Sequence, residues 1–421
     1  MFKVHSSEII RMANRFHTRC CDITTISALV TFIVTKPWIL GSVGWLDNLV
    51  DLVTLLLAII YVSGISVRKY IFTPAVLSLS SFIVYNLVIV FIKTPSMLVS
   101  EISLWLRALV GFGFSYELIR LDQPKALDGM GKCSSALLVI DFITGLICIF
   151  SGSENYKIFS ILGTDVYSIF SIVPLLAMVV VDANINGGKK KGIAVVLLLA
   201  CTLQKLITGA ATAEVALLVV VALLLLVKFR PRIARLVLNP INGFALLVIC
   251  TIIFAVFRAT EAFTPLFEML GKDPTMTGRT IIWEAAVPEI FNCLIFGHGT
   301  LELIEFVSLM GFNPWDLYWG HCHNMILELL FRDGIVGLIL MSIFIFCVFR
   351  HYRVNNCAID SANGHSDALM IVLAFLFVSC ILWITDGYTS VSSIFMMFGI
   401  YMGLAGFTGP IDVLTPFKER R

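Results

Sequence analysis

Residues 213–228 read Ala-Glu-Val-Ala-Leu-Leu-Val-Val-Val-Ala-Leu-Leu-Leu-Leu-Val-Lys. Between Glu214 and Lys228 the run is apolar without interruption. It does not alternate as a half-buried strand would, and no residue in its middle could face water. Such a run suits one helix crossing a bilayer, which needs about 20 mostly apolar residues. The whole chain repeats this pattern. Of 421 residues, 58% are hydrophobic and only 14% charged, against about 25% charged in an ordinary soluble domain. Mean hydropathy is +0.94. So few charges cannot cover a water-soluble globule. The composition also excludes disorder and an outer-membrane barrel, whose strands alternate. The fold class expected is all-α, a polytopic integral membrane protein.

Apolar runs predict about twelve spans, near 22–41, 49–67, 74–93, 100–119, 134–151, 165–182, 192–207, 212–228, 242–258, 334–350, 367–385 and 390–408. The connections support this count. Of the 30 Lys and Arg residues, 21 fall in the N-terminal segment, at Arg68 and Lys69, around Arg120, Lys125 and Lys132, at Lys189 to Lys191, between Lys228 and Arg235, at Arg350 and Arg353, or in the tail. With twelve spans, all of these lie on one side. The positive-inside rule makes that side cytoplasmic and puts both termini there. The first twenty residues set Lys3, Arg11, Arg15 and Arg19 around a weak apolar face, which reads as an interfacial cytoplasmic helix without a cleavable signal peptide. The eleven cysteines lie mostly in apolar runs or basic flanks, as small buried hydrophobes. Only Cys293 and Cys322 fall in the long external segment, and two separate thiols are expected there rather than a disulfide.

One connection is long. Residues 259–333 separate spans nine and ten, dividing the chain into 1–258, an external loop and 334–421. Loops of this length are functional or disordered. Ten aromatics between Phe263 and Trp319 argue for a folded loop of short helices on the membrane surface. Residues 271–283 read Gly-Lys-Asp-Pro-Thr-Met-Thr-Gly-Arg-Thr-Ile-Ile-Trp. Thr277 is the expected N-cap, Arg279 lies in the first turn, and Trp283 shares its face. Backbone N–H groups beside a guanidinium suit phosphate. An Arg reaching to lipid headgroups with Trp as interfacial anchor fits the same residues.

Residues 320–334 read Gly-His-Cys-His-Asn-Met-Ile-Leu-Glu-Leu-Leu-Phe-Arg-Asp-Gly. A helix from His323 would put His323 and Leu327 on one face, and Asn324 and Glu328 on another. A histidine here can be a general base near neutral pH. His321 and His323 could instead be a metal pair, without the further ligands such a site needs. Arg107 within span four is costly in lipid, at about 2.5–3.5 kcal/mol on insertion scales. It either contacts a substrate anion or ties helices together, and Glu214 raises the same question. Glu302, Glu305 and Asp316 serve as loop-solvating acids or as catalytic carboxylates.

The order Thr-Gly-Arg-Thr-Ile-Ile-Trp (277–283), Gly-His-Gly (297–299) and His-Asn-Met-Ile-Leu-Glu-Leu-Leu with Gly-Ile-Val-Gly (323–337) resembles the O-antigen polymerase and O-antigen ligase superfamily. The stretch through Asp-Pro-Thr-Met-Thr-Gly-Arg-Thr resembles its exopolysaccharide-polymerase branch. The resemblance implies a GT-C-like glycosyltransferase acting at the outer face of the bacterial cytoplasmic membrane. Its implied substrates are a glycan donor on polyprenyl diphosphate and a glycan acceptor. Carried over by residue, His323 would be the base or orient the acceptor, and Arg279 would grip the diphosphate. Trp283 and His321 would join them, Asn324 and Glu328 would shape the helix, and Asp386 matches a late acidic position. The family's Arg after span seven is missing from Thr-Gly-Ala-Ala-Thr-Ala (208–213). Lys205, Arg258 and Arg107 are the cations left as candidates.

No cofactor is expected, and the lack of any Asp-x-Asp fits metal-independent transfer, while the resemblance implies backside attack with inversion. The resemblance also implies a flippase and a chain-length regulator as partners. A polymerase is expected ahead of a ligase, which would move the glycan to lipid A-core or protein. A twelve-span transporter is the rival from another class, but the polar and aromatic residues crowd one asymmetric loop rather than paired broken helices. Basic clusters that follow the spans suit anionic lipid, not nucleic acid.

Overall fold

A computed structural model describes residues 22–67, 73–151, 161–163, 168–259, 262, 264–265, 278–312, 320–349, 364–385 and 391–406. The N-terminal segment before residue 22, Thr277, Asp316 and Asp386 lie outside the described residues. Every regular element described is a helix. In chain order, those of seven residues or more are α1 (Ile23–Thr35), α2 (Gly44–Val67), α3 (Pro74–Lys93), α4 (Leu98–Phe150), α5 (Ile169–Asn186), α6 (Lys190–Thr208) and α7 (Ala211–Phe229). Then follow α8 (Pro231–Val237), α9 (Pro240–Thr251), α10 (Arg279–Asn292), α11 (Leu303–Leu309), α12 (Met325–Phe349), α13 (Gly364–Thr385) and α14 (Val391–Leu404).

Among the described residues, eight helices are long and apolar enough to cross a membrane, and nine if the bent pair α8 and α9 forms one span. One of the eight, α4, holds two of the expected spans. A straight helix of its 53 residues would measure about 80 Å, far more than the roughly 30 Å hydrocarbon core. It breaks at Asp122, whose φ of −157° and ψ of 87° are not helical. Pro124 explains the break, since its ring clashes with the carbonyl four residues back and it has no N–H to donate. The expected first and last spans are short apolar helices of 13 and 14 residues, α1 and α14. The first stops at Lys36, in the left-handed region with φ 40°, just before Pro37. The eighth predicted run is α7.

The bundle is built around α5 and α13, whose most apolar windows are 78% and 83% buried. Helix α4 packs against α1, α5 and α14, while α13 contacts α5, α7 and α9, and α12 lies along α3. Phe112, Phe344, Phe395 and Phe398 form an edge-to-face and stacked aromatic column among α4, α12 and α14. The opposite character appears on α2, where Leu52, Leu56, Ile59 and Ile60 are each at least half exposed. Such a stripe costs free energy in water and none in lipid, which completes the case for a membrane bundle. Cys293 and Cys322 are both free thiols.

Candidate active site

The segment that should carry a helix from His323 starts one two residues later. Asn324 caps α12, its side-chain oxygen accepting from the N–H groups of Ile326 and Leu327, each at 3.1 Å. An Asn oxygen satisfies N–H donors that have no partner within the helix, so the cap wins over one more helical turn. His323 is therefore outside the helix, at φ 49°. Arg279 lies in the first turn of α10, after Gly278 at φ 83°, and the expected cap Thr277 lies outside the described residues.

Asn324 does more than cap. Its amide nitrogen donates to Thr251 Oγ1 at 3.0 Å and to the Ile384 carbonyl at 3.1 Å. Thr251 is the last residue of α9, where the helix passes into a π-turn over Ile252–Val256. Arg279 Nε donates to the next carbonyl on α13, that of Thr385, at 2.8 Å. The final carbonyls of a helix lack partners within it and carry its negative dipole end, so a guanidinium and an amide are suited to them. The end of α13 thereby gathers Arg279 from α10 and the residues just before α12.

His323 is 3% exposed. Its ring lies 3.9 Å from that of half-buried His321, tilted by 44°. Its own N–H donates to His321 Nδ1 at 3.3 Å, which makes that nitrogen an acceptor and puts the proton of a neutral His321 on Nε2. Burial first, then the His321 ring, then the Arg279 guanidinium hold the proton affinity of His323 far below the ordinary histidine value. The structure thus brings Arg279, His321 and His323 within electrostatic reach, and His323 is kept as a neutral imidazole.

Beneath the pair, Trp283 is buried and its indole N–H donates to the Cys322 carbonyl at 2.9 Å. Glu328 accepts from the Cys322 N–H at 2.6 Å. Burial and the nearby Glu328 charge push the Cys322 thiol well above its usual range. Glu328 also lies 3.7 Å from Arg332. Arg332, which sequence reasoning passed over, pairs with Glu101 at the start of α4 and donates to Thr300. The only hint of it was the four-residue spacing of Glu328 and Arg332, which sets an acid and a base on one helix face.

The Gly-His-Gly stretch has a structural explanation. Helix α12 breaks at Gly334, with φ 64° and ψ −166°, a conformation open essentially to glycine alone. Residues 294–299 run along the break and satisfy it. His298 and Gly299 donate to the carbonyls of Phe331 and Arg332 at 2.7 and 2.9 Å, and Ile335 donates to Leu294 at 2.8 Å. A side chain on Gly297 would strike the Arg332 carbonyl, and one on Gly334 the Ile295 carbonyl. From α3, Tyr85 and Asn86 each hold Asp333 at 2.7 Å. Helix α12 therefore runs through the expected boundary at 333 and 334 and turns there.

The remaining candidate cations lie elsewhere. Lys205 is buried on α6 and donates to Ser168 at 2.7 Å. Arg258, at φ 53°, pairs with exposed Glu284 of α10 at 2.5 Å. Arg107 donates to Asp51 at 3.1 Å and to Ser103 at 3.0 Å. Lys36 joins that group through Asp47 and Asp51, at 2.7 and 2.9 Å. Glu302 and Glu305 form a capping box on α11. Among the described residues, no three His, Cys, Asp or Glu side chains converge as a metal site would need.

Fold and site together define a polytopic α-helical membrane protein with a histidine and arginine centre where α10, α12 and α13 meet. Residues 193–342 match the family model described as O-antigen ligase. The matched region includes Arg279, His323 and Arg332. No curated protein matches the chain.

Proposed function

We propose that the protein is a polysaccharide polymerase, which joins oligosaccharide repeats carried on polyprenyl diphosphate at the outer face of the cytoplasmic membrane. The observation that carries this reading is the meeting of Arg279 and His323 at the C-terminal end of α13. An acceptor sugar hydroxyl attacks the anomeric carbon of the donor. The new glycosidic C–O bond forms as the bond from that carbon to the phosphate oxygen breaks. His323 takes the hydroxyl proton, and the polyprenyl diphosphate departs with the bond's electron pair. A positioned imidazole with a proton affinity matched to the operating pH supplies roughly 10²–10⁴ in rate, and the negative diphosphate raises that of His323 on binding. Arg279 stabilises the charge gathering on the diphosphate. Attack from the side opposite the leaving group inverts the anomeric centre.

A small apolar crevice of about 10 Å³, room for no more than one water, lies beside α13. Its wall includes Gly243, Phe377, Cys380, Trp383, Ile394 and Phe398. Trp383 lies two residues before the carbonyl that Arg279 holds. The description of the matched family favours a second reading, a ligase that moves finished glycan onto another carrier.

Glycan analysis of cells carrying His323→Ala tests both. For a polymerase, long chains vanish and single repeats still reach their final anchor. For a ligase, long chains build up on the polyprenyl carrier and do not reach that anchor. Unchanged glycan from a stably expressed variant would end the assignment of His323 as the base.

A further inference from the structure

We propose that Glu101 and Arg332 are positioning residues, which set the place of His323 through Glu328 and the Cys322 peptide. This role rests on the reading of His323 as the base. The contacts form an unbroken path. The Trp105 indole donates to Glu101 Oε2 at 3.0 Å, and Glu101 Oε1 accepts from Arg332. Arg332 also donates to Thr300 and faces Glu328 Oε1 at 3.7 Å. Glu328 Oε2 accepts from the Cys322 N–H at 2.6 Å, while Trp283 holds the Cys322 carbonyl at 2.9 Å. Both polar groups of Cys322 are thus fixed immediately before His323.

The path has a reason to exist. His323 sits in the left-handed region at φ 49°, which side chains with a Cβ adopt uncommonly and histidine more readily than most, so flanking anchors favour it. Asn324 anchors the following residue to α9 and α13. Glu328 and Trp283 anchor the preceding one. Glu101, Thr300, Glu328 and Arg332 are all at most 8% exposed. Water therefore cannot replace a lost member, and loss of one displaces the next. Arg332 joins α4, the residue after the Gly-His-Gly turn, and α12 at one guanidinium. Its planar fork of donors can serve three oxygens at fixed angles, which a lysine ammonium on a flexible stem cannot reproduce. A base moved by about 1 Å can lose about a hundredfold in rate, without any change in how the donor is gripped.

The test uses the full-length protein in lipid nanodiscs, with lipid-linked repeat units extracted from cells that lack the protein. Steady-state rates are measured for Arg332→Lys, Glu101→Gln, Glu328→Ala, Glu328→Gln and His323→Ala, each checked for a cooperative melt. Arg332→Lys and Glu328→Ala should lower kcat about tenfold to a hundredfold while KM stays within about twofold. Glu328→Gln keeps an oxygen for the Cys322 N–H and should recover most of the loss. Glu101→Gln should fall between. If Glu328→Ala does not fold, Arg332→Lys against Glu328→Gln decides, since only the first should slow turnover. A rise in KM at unchanged kcat, or wild-type kcat in Arg332→Lys, overturns the proposal. His323→Ala separates the two levels. Full activity there removes the base itself. An inactive His323→Ala beside fully active Arg332 and Glu101 variants removes only their positioning role.

Discussion

Two groups of charged side chains lie at helix ends in this protein, and they are built differently. In one, Lys36 and Arg107 meet Asp47 and Asp51, with Ser103 between α2 and α4. Two cations face two carboxylates, so the group closes on itself. In the other, Arg279 and Asn324 bond to backbone carbonyls of α13, and His323 is held neutral beside a guanidinium. There main-chain carbonyls at the end of α13 position the guanidinium and the amide. A closed cluster locks helices. A centre that sets a guanidinium beside a neutral imidazole suits an anionic substrate.

The sharpest way to break this contrast is to remove one cation from each group. Arg279→Ala should reduce activity in the glycan assay about 10²–10³-fold, as loss of a transition-state charge partner does, in protein that still melts cooperatively. Arg107→Met should act on stability, by about 1–2 kcal/mol for a pair that is only partly buried, read as a lowered melting temperature. The reverse pattern would make the α2 and α4 cluster the anion site. Gly334→Ala comes next. The added methyl meets the Ile295 carbonyl in a conformation that costs about 1–3 kcal/mol for any residue but glycine. The break in α12 carries Arg332, so activity and melting temperature should fall together. A stable, active Gly334→Ala would show that the interlock with residues 294–299 is dispensable.

The neutral histidine gives a smaller and pH-dependent effect. An unfolded chain binds a proton at this histidine below about pH 6.5, while folded His323 does not. The unfolded state then binds more protons, so stability is full above that pH and falls as the pH drops below it, by up to about 1.4 kcal/mol per pH unit. The melting-temperature difference between the wild type and His323→Gln should therefore change in the direction of a relatively less stable wild type from pH 7 to pH 5. A constant difference would place the imidazole in water, like an ordinary surface histidine.

Much of this was legible in the chain, for reasons that differ by residue. The runs that became α3, α6, α7 and α13 are visible because lipid demands apolar side chains along a whole span. Arg279 and His323 stand out because charge and imidazole are rare in such a composition. Their meeting was not legible. It runs through the carbonyls of Ile384 and Thr385, and a carbonyl is the same for every residue type. Arg332 and Glu101 are 231 residues apart, and nothing in either local pattern points to the other. The start of α12 was misplaced at His323 because periodicity ignores the competing Asn324 cap. The merging of two spans in α4 could not be read from hydropathy, which registers apolar length and not whether a polar link between spans is also helical.

The smallest expected effect belongs to Arg258, and it sharpens the comparison most finely. Its partner Glu284 lies on α10, five residues after Arg279, and both side chains of the pair are more than half exposed. An exposed ion pair contributes about 0–1 kcal/mol, so Arg258→Gln should barely move the melting temperature. Activity is the informative measurement. If Arg258 is only a surface tie between the end of α9 and α10, turnover should stay within about twofold, since neither the α13 carbonyls nor the Cys322 peptide depends on it. A tenfold loss at unchanged stability would mean that the left-handed turn at Arg258 brings a second guanidinium to the donor diphosphate. The centre would then need two arginines, the second of them drawn from α9 rather than from the stretch after α6.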